Sequence, residues 1–79
     1  MNTNNLVVNK RKLVDIHRVN GNPYTVYAVY KTQEDVRNDI ISHYEIVDKD
    51  FNRLNEGYAF TKRPTWGRVS DLVAIIFGE

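Results

Sequence analysis

Two histidines, His17 and His43, and the cations near them are the residues of this chain whose types could carry out chemistry without a cofactor. An imidazole changes charge near neutral pH and passes a proton in either direction, so two of them, or one beside a guanidinium, can make a small acid–base centre. His17, Arg18 and His43 would be the candidates for phosphodiester cleavage of the small ribonuclease type. The spacing gives them no support: there is no HxH, HxxxH or cysteine companion to bind either histidine to a metal or to the other. Two surface histidines are the plainer reading.

The carboxylates offer one pattern to weigh. In "DKDFNRLNE", Asp48, Asp50 and Asn52 stand at the first, third and fifth positions of a calcium loop, but Arg53 occupies the position that needs glycine, and Ala59 the position that needs a bidentate glutamate. A hairpin turn accounts for the segment better. No GxxxxGK[ST], GxGxxG, GxSxG or HExxH pattern occurs, so no phosphate loop, dinucleotide fold, serine hydrolase or zincin is implied. Nothing calls for a metal or a cofactor, and the chain is read as not an enzyme.

Cations cluster in two places. "NKRKL" sets Lys10, Arg11 and Lys12 in a row, and "TKRPTWGR" gathers Lys62, Arg63 and Arg68 around the single tryptophan, Trp66. With Tyr58 and Phe60 as stacking rings, these residues make up a nucleic-acid-binding alternative. "EGYAFT", residues 56–61, is similar to the aromatic strand of RNA-recognition sheets, but the βαββαβ order of that family is missing. The bland readings are that edge lysines oppose aggregation and that Trp66 is the first inward anchor of a helix. Eleven basic against ten acidic residues leave a net charge of +1, which excludes a nucleic-acid mimic and a uniformly basic coat.

The elements that must position these residues can be read from period and turn chemistry. Residues 1–5 are a polar tail, and Leu6–Val8 extend the first strand backwards. "LVDIHRV", 13–19, alternates as a strand with Val14 and Ile16 facing inward. Asn20–Gly21 tolerates the positive φ of a type I′ hairpin turn, with Pro23 allowed at the start of the next strand, 24–31. There Tyr24, Val26, Ala28 and Tyr30 share the core face, and Tyr27 points the other way with Thr25, Val29 and Lys31. Thr32 and Asp35 suggest a capped helical turn in the 32–40 connection. "ISHYEIVD" returns to a strand, and "GYAFT" reads as a short fourth one. After Pro64, in a first-turn position, Trp66, Val69, Leu72, Val73 and Ile76 form one stripe of an amphipathic helix closed by Gly78. The run "LVAIIF" would also suit a buried strand, and the helix is favoured over it.

The expected architecture is a single α+β domain: a three- to four-stranded antiparallel β-meander with a C-terminal helix packed on one face. With 79 residues, no cysteine, no basic-then-apolar leader and a longest apolar run of six residues, a cytoplasmic setting away from the membrane is expected. By subtraction, the leading functional expectation is a non-enzymatic protein-binding module. Small near-neutral chains of this kind are common among phage and mobile-element products that inhibit host machinery. Arg18, Tyr27, Lys31, Arg37 and Trp66 are the candidate partner-binding residues, with a homodimer through the sheet's second face a further expectation.

Overall fold

The computed structural model describes residues 7–57 and 59–78. Strands β1 (Val7–Val8), β2 (Arg11–Val19), β3 (Asn22–Val29) and β4 (His43–Val47) form one antiparallel sheet in the order β1-β2-β3-β4, with helix α1 (Gln33–Asn38) between β3 and β4 and helix α2 (Trp66–Phe77) at the end. This is the meander with a C-terminal helix that the sequence predicts. The expected tail over residues 1–5, Leu6 and Tyr58 lie outside the described residues.

Two tight turns set the register. Val19 pairs with Asn22 across Asn20 and Gly21, both at positive φ (52° and 80°), which is the backbone a two-residue hairpin of this twist demands. Arg18 then faces Pro23 in a pair that exchanges no ladder hydrogen bond, so the missing proline N–H costs nothing. Asn9 and Lys10 repeat the geometry (φ 54° and 60°) between Val8 and Arg11, making β1 a separate strand rather than a backward extension of β2. No glycine marks that turn.

The largest departure from simple alternation is a β-bulge. Leu13 pairs with Tyr27 but Asp15 pairs with Val26, so Val14 is an extra residue and the strand changes phase there. Val14 packs against the core as expected. Ile16 does not: the phase change sends it to the opposite face, beside Thr25, where it is 55% exposed. Asp15 and His17 turn toward the helix side in its place.

On that helix side Val69 and Val73 of α2 are fully buried against Val19, Tyr24, Val26, Ala28, Tyr44 and Ile46, with Leu54, Phe60 and Leu72 packed around them. Thr65 caps α2 by accepting from Arg68 N, and Gly78 ends it at φ 71° with its N–H on Ala74 O. Pro64 precedes the cap instead of occupying the first turn. The stripe is narrower than expected, since Trp66 and Ile76 stay 53% and 43% exposed. Thr32 caps α1 through Asp35 N as predicted, and Val36 is its buried anchor.

Beyond β4 no further strand forms among the described residues where "GYAFT" suggests one. Phe60 makes a single bridge to Tyr44, and Arg53 one to Val47. Between these bridges the side chain of Asn55 takes the place of a neighbouring strand: its Oδ1 accepts from Ile46 N (3.2 Å) and its Nδ2 donates to Tyr44 O (3.1 Å). Gly57, at φ 75°, lets the chain turn away instead of pairing in line.

Candidate functional site

Pairing across β2, β3 and β4 builds the face opposite α2 in rows: Arg11–Val29–His43, Leu13–Tyr27–Glu45 and Ile16–Thr25–Val47, with Arg18 beside the hairpin turn. Leu13 and Ile16 are 50% and 55% exposed. These are large apolar side chains left in water on a face that alternation alone would have made polar at one of the two positions.

Glu45 is the electrostatic hub of this face. Its carboxylate is nearly buried and receives Arg11 Nη2 at 2.5 Å and Arg53 Nη1 at 2.8 Å, with His43 Nε2 at 3.8 Å. Arg11 also lies over the ring of Tyr27, 4.7 Å from its centroid. One side of that ring is therefore covered by a guanidinium, and Tyr27 supports Arg11 more than it offers a bare stacking platform. Counting Arg11, Arg18 and Arg53 against Glu45, the face is net positive.

The other partner-binding candidates lie at its ends. Trp66 stands beside β2, its indole N–H donating to Arg18 O at 2.6 Å, so Arg18 and Trp66 adjoin at the hairpin end. Lys31 and Arg37 are exposed at the opposite end, by α1, some eight residues of strand or roughly 26 Å from Pro23. The five residues thus form no tight cluster: Arg18 and Trp66 stand at the hairpin end, and Lys31 and Arg37 lie by α1, whose C-terminal end is tied to the helix side through Asp39.

The nucleic-acid candidates are distributed over both sides of the sheet. Arg11 is on the open face with Glu45; Lys12 lies on the helix side near Asp39 (3.5 Å); Arg63 stands by Asp15 (4.0 Å). Phe60 packs against the core and Arg68 borders a groove along α2, while Lys10 sits in the first turn and Lys62 in the loop before α2. Tyr58 is outside the described residues. Nor does the structure assemble His17, Arg18 and His43: His17 is on the helix side beside Asp15, and Arg18 and His43 are at opposite ends of the open face. Asp48 folds its carboxylate onto its own loop, accepting from Asp50 N and Asn52 N at 2.9 Å. Those bonds hold its pKa below the usual carboxylate value, and they explain the aspartate-rich spacing as a turn. Among the described residues no group of three or more His, Asp or Glu side chains is placed to hold a metal ion, and no helix is long and apolar enough to cross a membrane.

A second polar cluster ties α1 to the sheet. Tyr30 donates to Asp39 Oδ1 at 2.5 Å, holding Asp39 in the left-handed conformation that ends α1 (φ 53°). The Tyr30 hydroxyl, then the charge of Lys12, lower the pKa of Asp39; burial and the bond to Asp39 raise that of Tyr30; the Tyr30 hydroxyl, then Asp39, raise that of Lys12. A carboxylate held below its unfolded value contributes stability that is complete above the ordinary aspartate range and is lost as pH falls through the folded value. Lys12 and Tyr30, both held protonated, contribute at neutral pH and lose that contribution as pH rises beyond the ordinary lysine and tyrosine ranges. Urea unfolding across pH should therefore show a shallower acid-side loss for Asp39→Asn than for the parent chain; parallel curves would show that the cluster carries no linkage.

Of the residues that make up this face, the sequence singles out Arg18 and Tyr27 but not Glu45, Leu13 or Ile16. The available signal for Glu45 was the alternation His43-x-Glu45, which puts complementary groups on one strand face. Compared with protein-family models, curated proteins and solved structures, the chain matches none of them.

Proposed function

We propose that this chain is a non-enzymatic protein-binding module that engages its partner with the open face of the sheet. The observation that carries the reading is the juxtaposition of half-exposed Leu13 and Ile16 with Tyr27 and with Arg11, Arg18 and Arg53 on a face not covered by α2. Apolar side chains here supply area to remove from water, and guanidiniums supply directional contacts, the combination enriched at interface centres. Three guanidiniums against one nearly buried carboxylate call for a partner surface that bears carboxylates. Trp66 with Arg18 at one end, and Lys31 with Arg37 at the other, extend the footprint. Occupying such a surface is how a small inhibitor of a larger protein machine would act. The nucleic-acid alternative draws less support, because its candidates Arg11, Lys12 and Arg63 are spread over both sides of the sheet and form no continuous cationic track.

The test is capture from cell extract read by mass spectrometry, followed by titration of the purified partner. Leu13→Asp with Ile16→Asp places two carboxylates where the partner's own are expected, and should weaken binding by about a hundredfold or more. Far-UV circular dichroism should stay that of the parent, since neither side chain is in the core. Undiminished capture by this variant overturns the reading. Tight oligonucleotide binding that weakens steeply with salt would instead favour the alternative.

A further inference from the structure

We infer that the cleft between Phe60 and the start of α2 binds the phosphate group of a small ligand, held by Lys62, Arg63 and Arg68. The cleft encloses about 340 Å³, and Thr61 and Thr65 line it together with these three cations. Among the described residues no carboxylate lines it. The other guanidiniums that converge in this fold, those of Arg11 and Arg53, close on Glu45. Here nothing of the kind lies between the charges. Among the described residues Lys62 and Arg68 have no carboxylate within ion-pair distance, and Arg63 reaches Asp15 only at 4.0 Å, with more than half of its side chain in water. Asp71 and Glu56 border the neighbouring groove with Arg68, and neither is paired with it.

The occupant follows from the charge and the donors that face it. Three cations about one concavity repel each other, and an anion between them turns that repulsion into attraction. Arg68 makes the case strongest, because it stands in the first turn of α2, where a cation is disfavoured and no acidic residue offsets it. A bound anion would remove that cost. A carboxylate brings one charge and one pair of oxygens, too little for three cations. A phosphate dianion brings more charge and a tetrahedron of oxygens, and the forked N–H groups of Arg63 and Arg68 each match two of them. The hydroxyls of Thr61 and Thr65 are further donors: Thr65 Oγ1 accepts from Arg68 N at 3.4 Å, which leaves its own O–H to give. The cleft is a single local site on the helix side, where Arg63 meets Asp15, and it is independent of what binds the open sheet face.

The test is an NMR titration of the isotope-labelled full chain, at constant ionic strength, with inorganic phosphate, glycerol phosphate and adenosine diphosphate as probes. Inorganic phosphate should shift the amide signals of residues 61–68 saturably, with a dissociation constant on the order of 1 mM, and leave those of Leu13, Tyr27 and Glu45 in place. Lys62→Glu and Arg68→Glu should each weaken binding about tenfold or more. Arg68→Glu should at the same time raise the thermal midpoint, because an acidic residue suits the first turn, so its lost binding cannot be a lost fold. Equal affinity for the three probes supports the site with free phosphate as its ligand; tighter binding of one ester supports it with that ester's class. No saturable shift up to about 20 mM phosphate, or binding that both substitutions leave unchanged, overturns the proposal. So does an oligonucleotide held by the same residues about a hundredfold more tightly than the diphosphate and released steeply by salt, which would make the cleft part of a strand-binding surface.

Discussion

Replacing Ile46 by alanine should cost about 3 to 4 kcal/mol of folding free energy and lower the thermal midpoint by about 12 to 32 °C. Ile46 has no exposed surface, pairs with Val26 across β3–β4, and packs in the cluster with Val69 and Val73. The size of the loss depends on whether the surroundings can close over the missing atoms. Here they are held on both sides: Ile46 N is bonded to Asn55 and Ile46 O receives Leu54 N at 2.8 Å, so β4 cannot move inward without breaking edge bonds. The cavity therefore persists, and the cost stays clear of the low end of the usual range of about 2 to 5 kcal/mol. A domain of this length is stable by only about 4 to 12 kcal/mol in total, so the variant should lose about a quarter or more of its folding free energy. Phe51→Ala is the control, because Phe51 is 81% exposed and should shift the midpoint little. A shift below about 5 °C for Ile46→Ala, read by calorimetry, would mean that β4 does not sit under α2 as described.

What could be read from the sequence was whatever depends on neighbours along the chain. Asn20–Gly21 encodes its own backbone angles, and the period of two separates Tyr24 and Tyr30, both buried, from Tyr27 on the other face. Thr32 and Gly78 act within one helical turn of themselves, so both caps were legible. The bulge at Val14 was not, because it is a relation between two strands: only the pairing of Leu13 and Asp15 with successive residues of β3 reveals it. One inserted residue was enough to carry Ile16 from the predicted core to the candidate site. The same limit hid the Glu45 hub. Arg11 lies far from Glu45 and Arg53 in sequence, Arg53 follows Glu45 by eight residues across a loop, and a lone Arg11 between two lysines looks like a phosphate contact until the fold supplies its carboxylate. The helix stripe was legible, but how far around α2 the sheet reaches was not. That depends on Trp66 docking at the β2 edge through its N–H, which leaves the Ile75–Phe77 end outside the core.

Asn55→Ala should destabilise the fold nearly as much as Ile46→Ala, although it deletes no apolar contact. The side chain of Asn55 is a buried substitute for a peptide group: one acceptor for Ile46 N and one donor for Tyr44 O, both on the outer edge of β4. Alanine leaves a donor and an acceptor without these partners, at about 1 to 3 kcal/mol each where water does not enter, or about 2 to 6 kcal/mol together. Leucine fills the volume and offers neither group, so it should not rescue. Aspartate separates the two bonds. Its carboxylate can accept from Ile46 N but cannot donate to Tyr44 O, and it places a second negative charge near Glu45; once protonated, it can do both. A buried carboxyl of that kind is favoured in its neutral form, so its folded pKa lies above its unfolded one and its contribution to stability is lost as pH rises. The stability gap between Asn55→Asp and the parent chain, measured by urea unfolding, should accordingly narrow as pH is lowered from 7 toward the carboxylate range. A gap independent of pH would show that Asn55 acts through shape alone. Without its side chain the β4 edge is also left open, and an open edge pairs with other chains, so the alanine variant should scatter light on standing where Ile46→Ala, whose edge bonds remain, scatters less.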